Sequence, residues 1–213
     1  MPRKSSTPLK LQQALIGLMW RQCYTHVTID AICEEAGVKK GSFYHFYKSK
    51  TELTIEALDF HWETDIRPKY DDHFSASRTP VERLERWLQH VCSESTEQLA
   101  ESGRILGCPF CNIGQEIASV EPEVSQKVND IIQRYMRYLI GTIRDAKLEG
   151  LTAIRDAEAV ARSIFIYLEG TMSQARIQNS LTPLEGISEV VGRLTGLDLT
   201  PCCLLDQKAD LTK

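Results

Sequence analysis

Residues 28–53 read TIDAICEEAGVKKGSFYHFYKSKTEL, and the way this stretch folds decides the class of the whole chain. The Thr28 hydroxyl can accept from the free N–H groups of a first helical turn, and Asp30 adds favourable negative charge there. Ile29, Ile32 and Ala36 recur at helical spacing and give that helix an apolar inner face. Gly37 ends it where a left-handed residue is needed. A short helix then covers Lys39 to about Phe46. Val38, Phe43 and Tyr47 face the preceding helices as core, while Lys40 and Tyr44 share another face, flanked by Lys39 and His45. Ser49-Lys50-Thr51-Glu52 has the form of a capping box and opens a further helix through Leu53, Ala57 and Phe60.

Working outward, the same periodicity persists and strand signals do not occur, so the chain is expected to be all-α with about nine helices. Leu11, Leu15, Leu18 and Met19 mark a helix from about Leu9 to Gln22, and Pro68 is expected to disrupt or end the fourth helix. Thr79-Pro80-Val81-Glu82 and Thr182-Pro183-Leu184-Glu185 carry one and the same helix-start signature. Between them Pro122 opens a long helix that stops near Gly150, and Asp156 caps another running to about Asn179. The segment after Leu199 reads as a frayed tail. The expected division is a DNA-binding domain over residues 1–55 and a helical regulatory and dimerisation domain over 56–213.

Composition narrows the function. No apolar run approaches the roughly 20 residues that span a bilayer, and the amphipathic N-terminus lacks a signal-peptide pattern. A soluble cytoplasmic protein without membrane association is expected. Seven cysteines without a secretory signal argue against a disulfide framework. Charge is divided unevenly: residues 1–60 hold 8 Lys and Arg against 6 Asp and Glu, the remainder 17 against 23, giving the net −4. A basic front on an acidic protein points to a polyanion partner for the front alone.

Helix, glycine turn and short helix form the geometry of a helix-turn-helix, whose second helix enters the DNA major groove. Lys39, Lys40, Tyr44 and His45 would meet the duplex, and Gly41 would let the backbone approach it. Ser49 and Lys50 stand at a helix N-terminus suited to phosphate, and Thr28 and Ser42 complete the candidate DNA-binding set. Thr28-Ile29, Ile32, Ala36-Gly37-Val38, Gly41, Phe43-Tyr44, Phe46-Tyr47 and Lys50-x-x-Leu53 together resemble the DNA-binding signature of the TetR family of transcriptional regulators. Cys23 stands where that family commonly has Gly, and Phe46 where it has His or Tyr. The resemblance implies a homodimer on a palindromic double-stranded operator. It also implies a C-terminal half that binds a small-molecule effector of unknown identity.

Two features of that half bear on regulation. Residues 156–178 are apolar over much of their surface, and with the helix after Thr182 they supply a candidate dimer interface: Ile164, Leu168, Gly170, Met172, Ile187 and Val191. Cys108-Pro-Phe-Cys111 has redox-motif spacing near a helix start, where a thiol is more acidic. The run from Gly107 to Glu116 is similar to an N-ethylmaleimide-sensing subgroup of the same family, which implies that Cys108 senses electrophiles or oxidants. Trp87, His90, Tyr135, Tyr138 and Tyr167 are candidate effector contacts. No catalytic group, metal site or cofactor is expected, since one C-x-x-C without a second ligand pair does not build a zinc site. The rival readings are a thiol–disulfide oxidoreductase using Cys108 and Cys111, which lacks the expected βαβ surroundings, and a DNA binder without sequence preference.

Overall fold

A computed structural model describes residues 6–202. Among them the only regular structure is helical: α1 (Thr7–Arg21), α2 (Ile29–Ala36), α3 (Lys40–Phe46), α4 (Lys50–His61), α5 (Arg67–His73), α6 (Pro80–Ser102), α7 (Pro109–Ile117), α8 (Pro122–Leu148), α9 (Ala157–Gln178) and α10 (Ile187–Thr195). Pro68 does not end the fourth helix. A single π turn, Trp62–Ile66, joins α4 to α5, with the Arg67 N–H reaching back to the Trp62 carbonyl. The wider turn absorbs a residue whose ring and missing N–H an unbroken α-helix would not accept. Counting that joined pair once leaves nine helices among the described residues, as expected.

The chain divides into two compact units: one holds the residues up to Arg67 together with Pro109–Ile132, the other Pro68–Cys108 and the chain from Gln133 onward. The first unit is organised by a core of Leu11, Leu15, Val27, Ile32, Phe43, Tyr47 and Leu53, contributed by α1–α4 and the turns between them. Phe43 and Tyr47 are buried, as their side of α3 requires. Thr28 caps α2 by accepting from the Ala31 N–H, and Gly37 ends it in the left-handed region at φ 63°. Ser49 caps α4, accepting from the Glu52 N–H. The Glu52 carboxylate returns to the Lys48 N–H rather than to Ser49, so the box closes one residue early.

In the second unit α6 begins with a complete Thr79–Glu82 capping box and ends at Gly103, φ 70°. The matching signature at Thr182 does not start a helix. Thr182–Leu184 makes one 3₁₀ turn, Glu185 leaves the helical region, and α10 begins only after Gly186, φ 79°. Asp156 caps α9 as expected, accepting from the Ala159 N–H. Arg83 is buried and bonds the Ser75 and Arg78 carbonyls and the Asp145 carboxylate. Of the expected tail, residues 200–202 are not a loose end: the Thr200 N–H donates to Glu85, and the Ser188 hydroxyl lies 3.0 Å from the Cys202 sulfur. The rest of the expected tail, residues 203–213, lies outside the described residues.

His73 lies beside His90, ring centroids 4.8 Å apart. Burial, reinforced by His90 and by Arg86 and Arg78 against the opposing Asp72, pushes its imidazole down to about 4. The folded ring therefore stays neutral over a range in which the unfolded chain takes up a proton, below about 6.5. Stability is complete above that value and falls as pH drops towards 4. Between pH 7.5 and 5, thermal melts of wild type should lose about 1–2 kcal/mol more than those of His73→Gln, solvent screening part of the shift. Parallel losses in the two proteins would remove His73 as the cause.

Candidate DNA-binding face

The exposed side of α3 is built by what its other side must do. Phe43 is committed to the core, so Tyr44 and His45, one and two residues on, turn outward. Tyr44 is 55 % exposed, its ring set edge-on against Phe43 at 5.3 Å. His45 packs in the same manner on Phe46 at 4.7 Å, so both outward rings have restricted orientations. Lys39 and Lys48 are exposed at the two ends of the helix, with Lys40 beside them. Gly41 is also exposed, and a Cβ added there would meet nothing within 4 Å, so the protein itself does not require the glycine. Ser42 is half-buried, and the hydroxyls of Thr28 and Ser49 are engaged as helix caps.

Lys40 forms an ion pair with Asp30 at 2.8 Å, and the hydrogen bond to Asp30 raises its pKa. Both partners are exposed, so the pair contributes little to stability and can be exchanged for a phosphate or a base edge. Lys50 is different. Its Nζ donates to the carbonyls of Tyr24 and Val27, each at 3.1 Å, and lies 3.9 Å from the centroid of the Tyr24 ring. Burial holds this ammonium below the usual lysine range, against the pull of Glu121 and Glu116. In this position it closes the turn before α2 from inside.

Two carboxylates that sequence reasoning missed complete the same corner. Glu116, on α7, accepts from the N–H groups of Tyr24 at 2.9 Å and Thr25 at 2.8 Å, and from the Thr25 hydroxyl at 2.5 Å. Burial pulls its carboxyl upward, but these bonds outweigh it and hold the group below its ordinary range. Glu121 accepts from the Tyr24 and Thr51 hydroxyls, both at 3.0 Å. Lys127 on α8 pairs with Asp59 on α4 at 2.6 Å. The α1–α4 head is thus held to α7 and the start of α8 by polar bonds, of which those from Glu116 and Glu121 converge on Tyr24. Burial is the main reason why the Tyr24 phenol is pushed well above its ordinary range.

In the second unit, Trp87, Tyr135 and Tyr138 come together around Tyr70, a residue not anticipated from sequence. Trp87 donates to the Tyr70 hydroxyl at 2.8 Å, and Tyr70 meets the rings of Tyr135 and Tyr138 at 4.8 and 5.5 Å. Tyr138 also donates to Asp71 at 2.6 Å. His90 joins His73 instead, and Tyr167 is half-buried on α9. Cys108 follows Gly107, φ 70°, directly before α7, and Cys111 is in that helix's first turn. Both thiols are half-buried.

The expected dimer residues divide sharply. Ile164, Leu168, Ile187 and Val191 are at most 2 % exposed within the single chain. They form its own core and present no surface to a partner. Gly170 is exposed and Met172 half-exposed, and Ile166 and Ile177 are the large apolar side chains of α9 that reach solvent.

Comparison with known proteins agrees with this architecture. Residues 13–57 match the family model "Bacterial regulatory proteins, tetR family", and residues 80–191, more than half the chain, match "Tetracyclin repressor-like, C-terminal domain". The transcriptional regulator AcuR of Cereibacter sphaeroides is 28 % identical over 80 % of this chain and 76 % of its own length. The transcriptional repressor NemR of Escherichia coli is 23 % identical over 76 % and 80 %. The crystal structure of a regulatory protein TetR from Rhodobacter sphaeroides superposes with a TM-score of 0.76 at 26 % identity, over 89 % of this chain and 99 % of that one. Reduced E. coli NemR shares the fold, with a TM-score of 0.77 at 19 % identity over 89 % and 98 %. With a helix-turn-helix head and a helical C-terminal part each matched by its own model, the chain belongs to the TetR family of DNA-binding transcriptional regulators.

Proposed function

We propose that the protein represses transcription as a homodimer on a palindromic operator and is released by a small-molecule effector or by modification of a cysteine. One observation carries this reading: α3 has one side locked into the core while the other presents Lys39, Lys40, Gly41, Tyr44 and His45 to solvent. The lysines supply sequence-independent attraction to phosphates, and Tyr44, His45 and Lys40 reach base edges. Two such helices in one dimer would enter successive major grooves about 34–36 Å apart. The exposed stripe of α9 at Ile166, Gly170 and Ile177 supports dimerisation there, the glycine permitting close helix approach.

A different helix, α7, supports a route for regulation. α7 starts next to Cys108, carries Cys111 in its first turn, and ends beside Glu116, which grips the turn before α2. An adduct on Cys108, the residue directly before α7, would move that helix and with it the recognition helix. The relatives named above are regulators, which favours this reading over a thiol–disulfide enzyme. No helix among the described residues is long and apolar enough to cross a membrane, in keeping with action on cytoplasmic DNA.

Salt dependence tests the face without knowledge of the operator. For the full chain on a random duplex, the double variant Lys39→Gln/Lys48→Gln should flatten the slope of log K against log salt by about 2 units. An unchanged slope would place the duplex elsewhere on the protein.

A further inference from the structure

Two thiols meet where the last described residues cross the second unit. After α10 the chain turns at Gly196, φ 69°, and residues 197–202 run back as an extended strap over α10 and α6. The fit is tight. The Leu197 carbonyl oxygen passes 2.8 Å from the place a Cβ on Gly192 would occupy, and the Thr200 N–H donates to Glu85 on α6 at 2.7 Å. This course brings Cys202 towards Cys92 on α6, a side chain 1 % exposed, and the two thiols interact. The Ser188 hydroxyl lies 3.0 Å from the Cys202 sulfur. On its open side Cys202 lines a groove of about 680 Å³ together with Ser188, Arg193, Leu197 and Asp198.

We propose that Cys202 is a hydroperoxide-reactive thiol and that Cys92 is its resolving partner, the two closing to an intramolecular disulfide that fastens the strap to α6. The proposal does not depend on the DNA-binding reading, because it concerns only groups within the second unit. Its chemistry balances. The Cys202 thiolate attacks one peroxide oxygen; the S–O bond forms, the O–O bond breaks, and the departing oxyanion takes up a proton as water or an alcohol. Cys202 is then a sulfenic acid, oxidised by two electrons while the peroxide is reduced by two. The Cys92 sulfur attacks it, the S–S bond forms, the S–O bond breaks, and the hydroxide leaves as water with the proton from Cys92.

The surroundings assign the two roles. The interaction with Cys92 lowers the Cys202 thiol below its ordinary range, Ser188 assisting while burial and Glu85 oppose. The neighbouring Cys202 sulfur, together with burial, pushes Cys92 upward. Groove access belongs to Cys202, and proximity without access belongs to Cys92. That is the arrangement of an attacking and a resolving cysteine.

The reduced full chain, exposed to graded hydrogen peroxide at neutral pH, alkylated and digested without reductant, can be read by peptide mass spectrometry. The expected product is a cross-linked Cys92–Cys202 peptide pair lacking two hydrogens, formed roughly tenfold sooner than Cys108 or Cys111 is lost. Cys92→Ser should stop at a dimedone-reactive sulfenic acid on Cys202, and Cys202→Ala should leave Cys92 reduced. Pairing of Cys202 with Cys203 or between chains, or oxidation of Cys108 while Cys202 stays intact, would overturn the proposal. The wild-type peptide map decides even where a variant folds poorly.

Discussion

Glu116→Ala is expected to destabilise the protein by about 2–4 kcal/mol at pH 7 and to weaken operator binding at least about tenfold. One carboxylate accepts from two backbone N–H groups and one hydroxyl of the turn before α2. Its loss leaves those donors without a charged partner, and bonds to charged groups are worth about 1.5–3 kcal/mol each before water compensates part of the loss. Operator binding suffers because residues 24–27 set the direction in which α2 and α3 leave α1. Glu116→Gln, which keeps an acceptor, should recover part of both effects. The sign of the pH dependence follows from the lowered pKa of this group. Its contribution is complete above the unfolded value near 4.3 and fades as pH falls through the lower folded one, so the gap between wild type and Glu116→Ala should narrow as the solution is acidified. Urea unfolding at pH 7 and pH 3.5 measures this. Equal stability at pH 7 would remove Glu116 as the tie.

Lys50→Met is expected to lower stability by about 2–3 kcal/mol while leaving the salt slope of DNA binding unchanged. The ammonium bonds two carbonyls and covers the Tyr24 ring. The methionine keeps the stem's packing but leaves the Tyr24 and Val27 carbonyls short of a donor. Relief of the desolvated charge returns part of the loss, hence the moderate figure. A lysine on phosphate would behave in the opposite way, with little change in stability and a slope smaller by about 0.9. Chemical denaturation and a salt titration on the same variant separate the two roles.

These two residues also mark where sequence reading ends. The helix-turn-helix was legible because its determinants are local: Thr28 caps its own helix, Gly37 turns it, and Phe43 and Tyr47 fall on one side of a short helix by spacing alone. Lys50 was placed on the duplex because a helix start suits phosphate. Within the chain its Nζ bonds carbonyls 23 and 26 residues earlier, which spacing did not reveal. Glu116 reaches back 91 and 92 residues, a distance no spacing rule spans. On α9 the apolar residues were visible, but amphipathicity does not say whether a face meets its own bundle or a second copy. Ile164 and Leu168 went to the former. The Thr79 and Thr182 signatures are alike in sequence, yet only the first opens a helix. Glu185 turns extended and Gly186 left-handed before a second turn can form, so a start signal is not sufficient without a run of helical residues behind it.

The helical class, the head and the α6 and α9 caps were therefore open to reading from local chemistry. The tie between head and α7, the aromatic cluster around Tyr70 and the thiol pair at the strap were not, because each is made by residues far apart in the chain.

Selection of bound duplexes from a random pool, using the full chain at moderate salt, tests the central point most directly: two α3 helices fixed in one dimer reading adjacent major grooves. The expected outcome is an inverted repeat whose half-sites are centred about 10 base pairs, or a multiple of that, apart, with enrichment lost in Tyr44→Ala. Recovery of a single unrepeated site, or of a pool no different from the starting one, would contradict it.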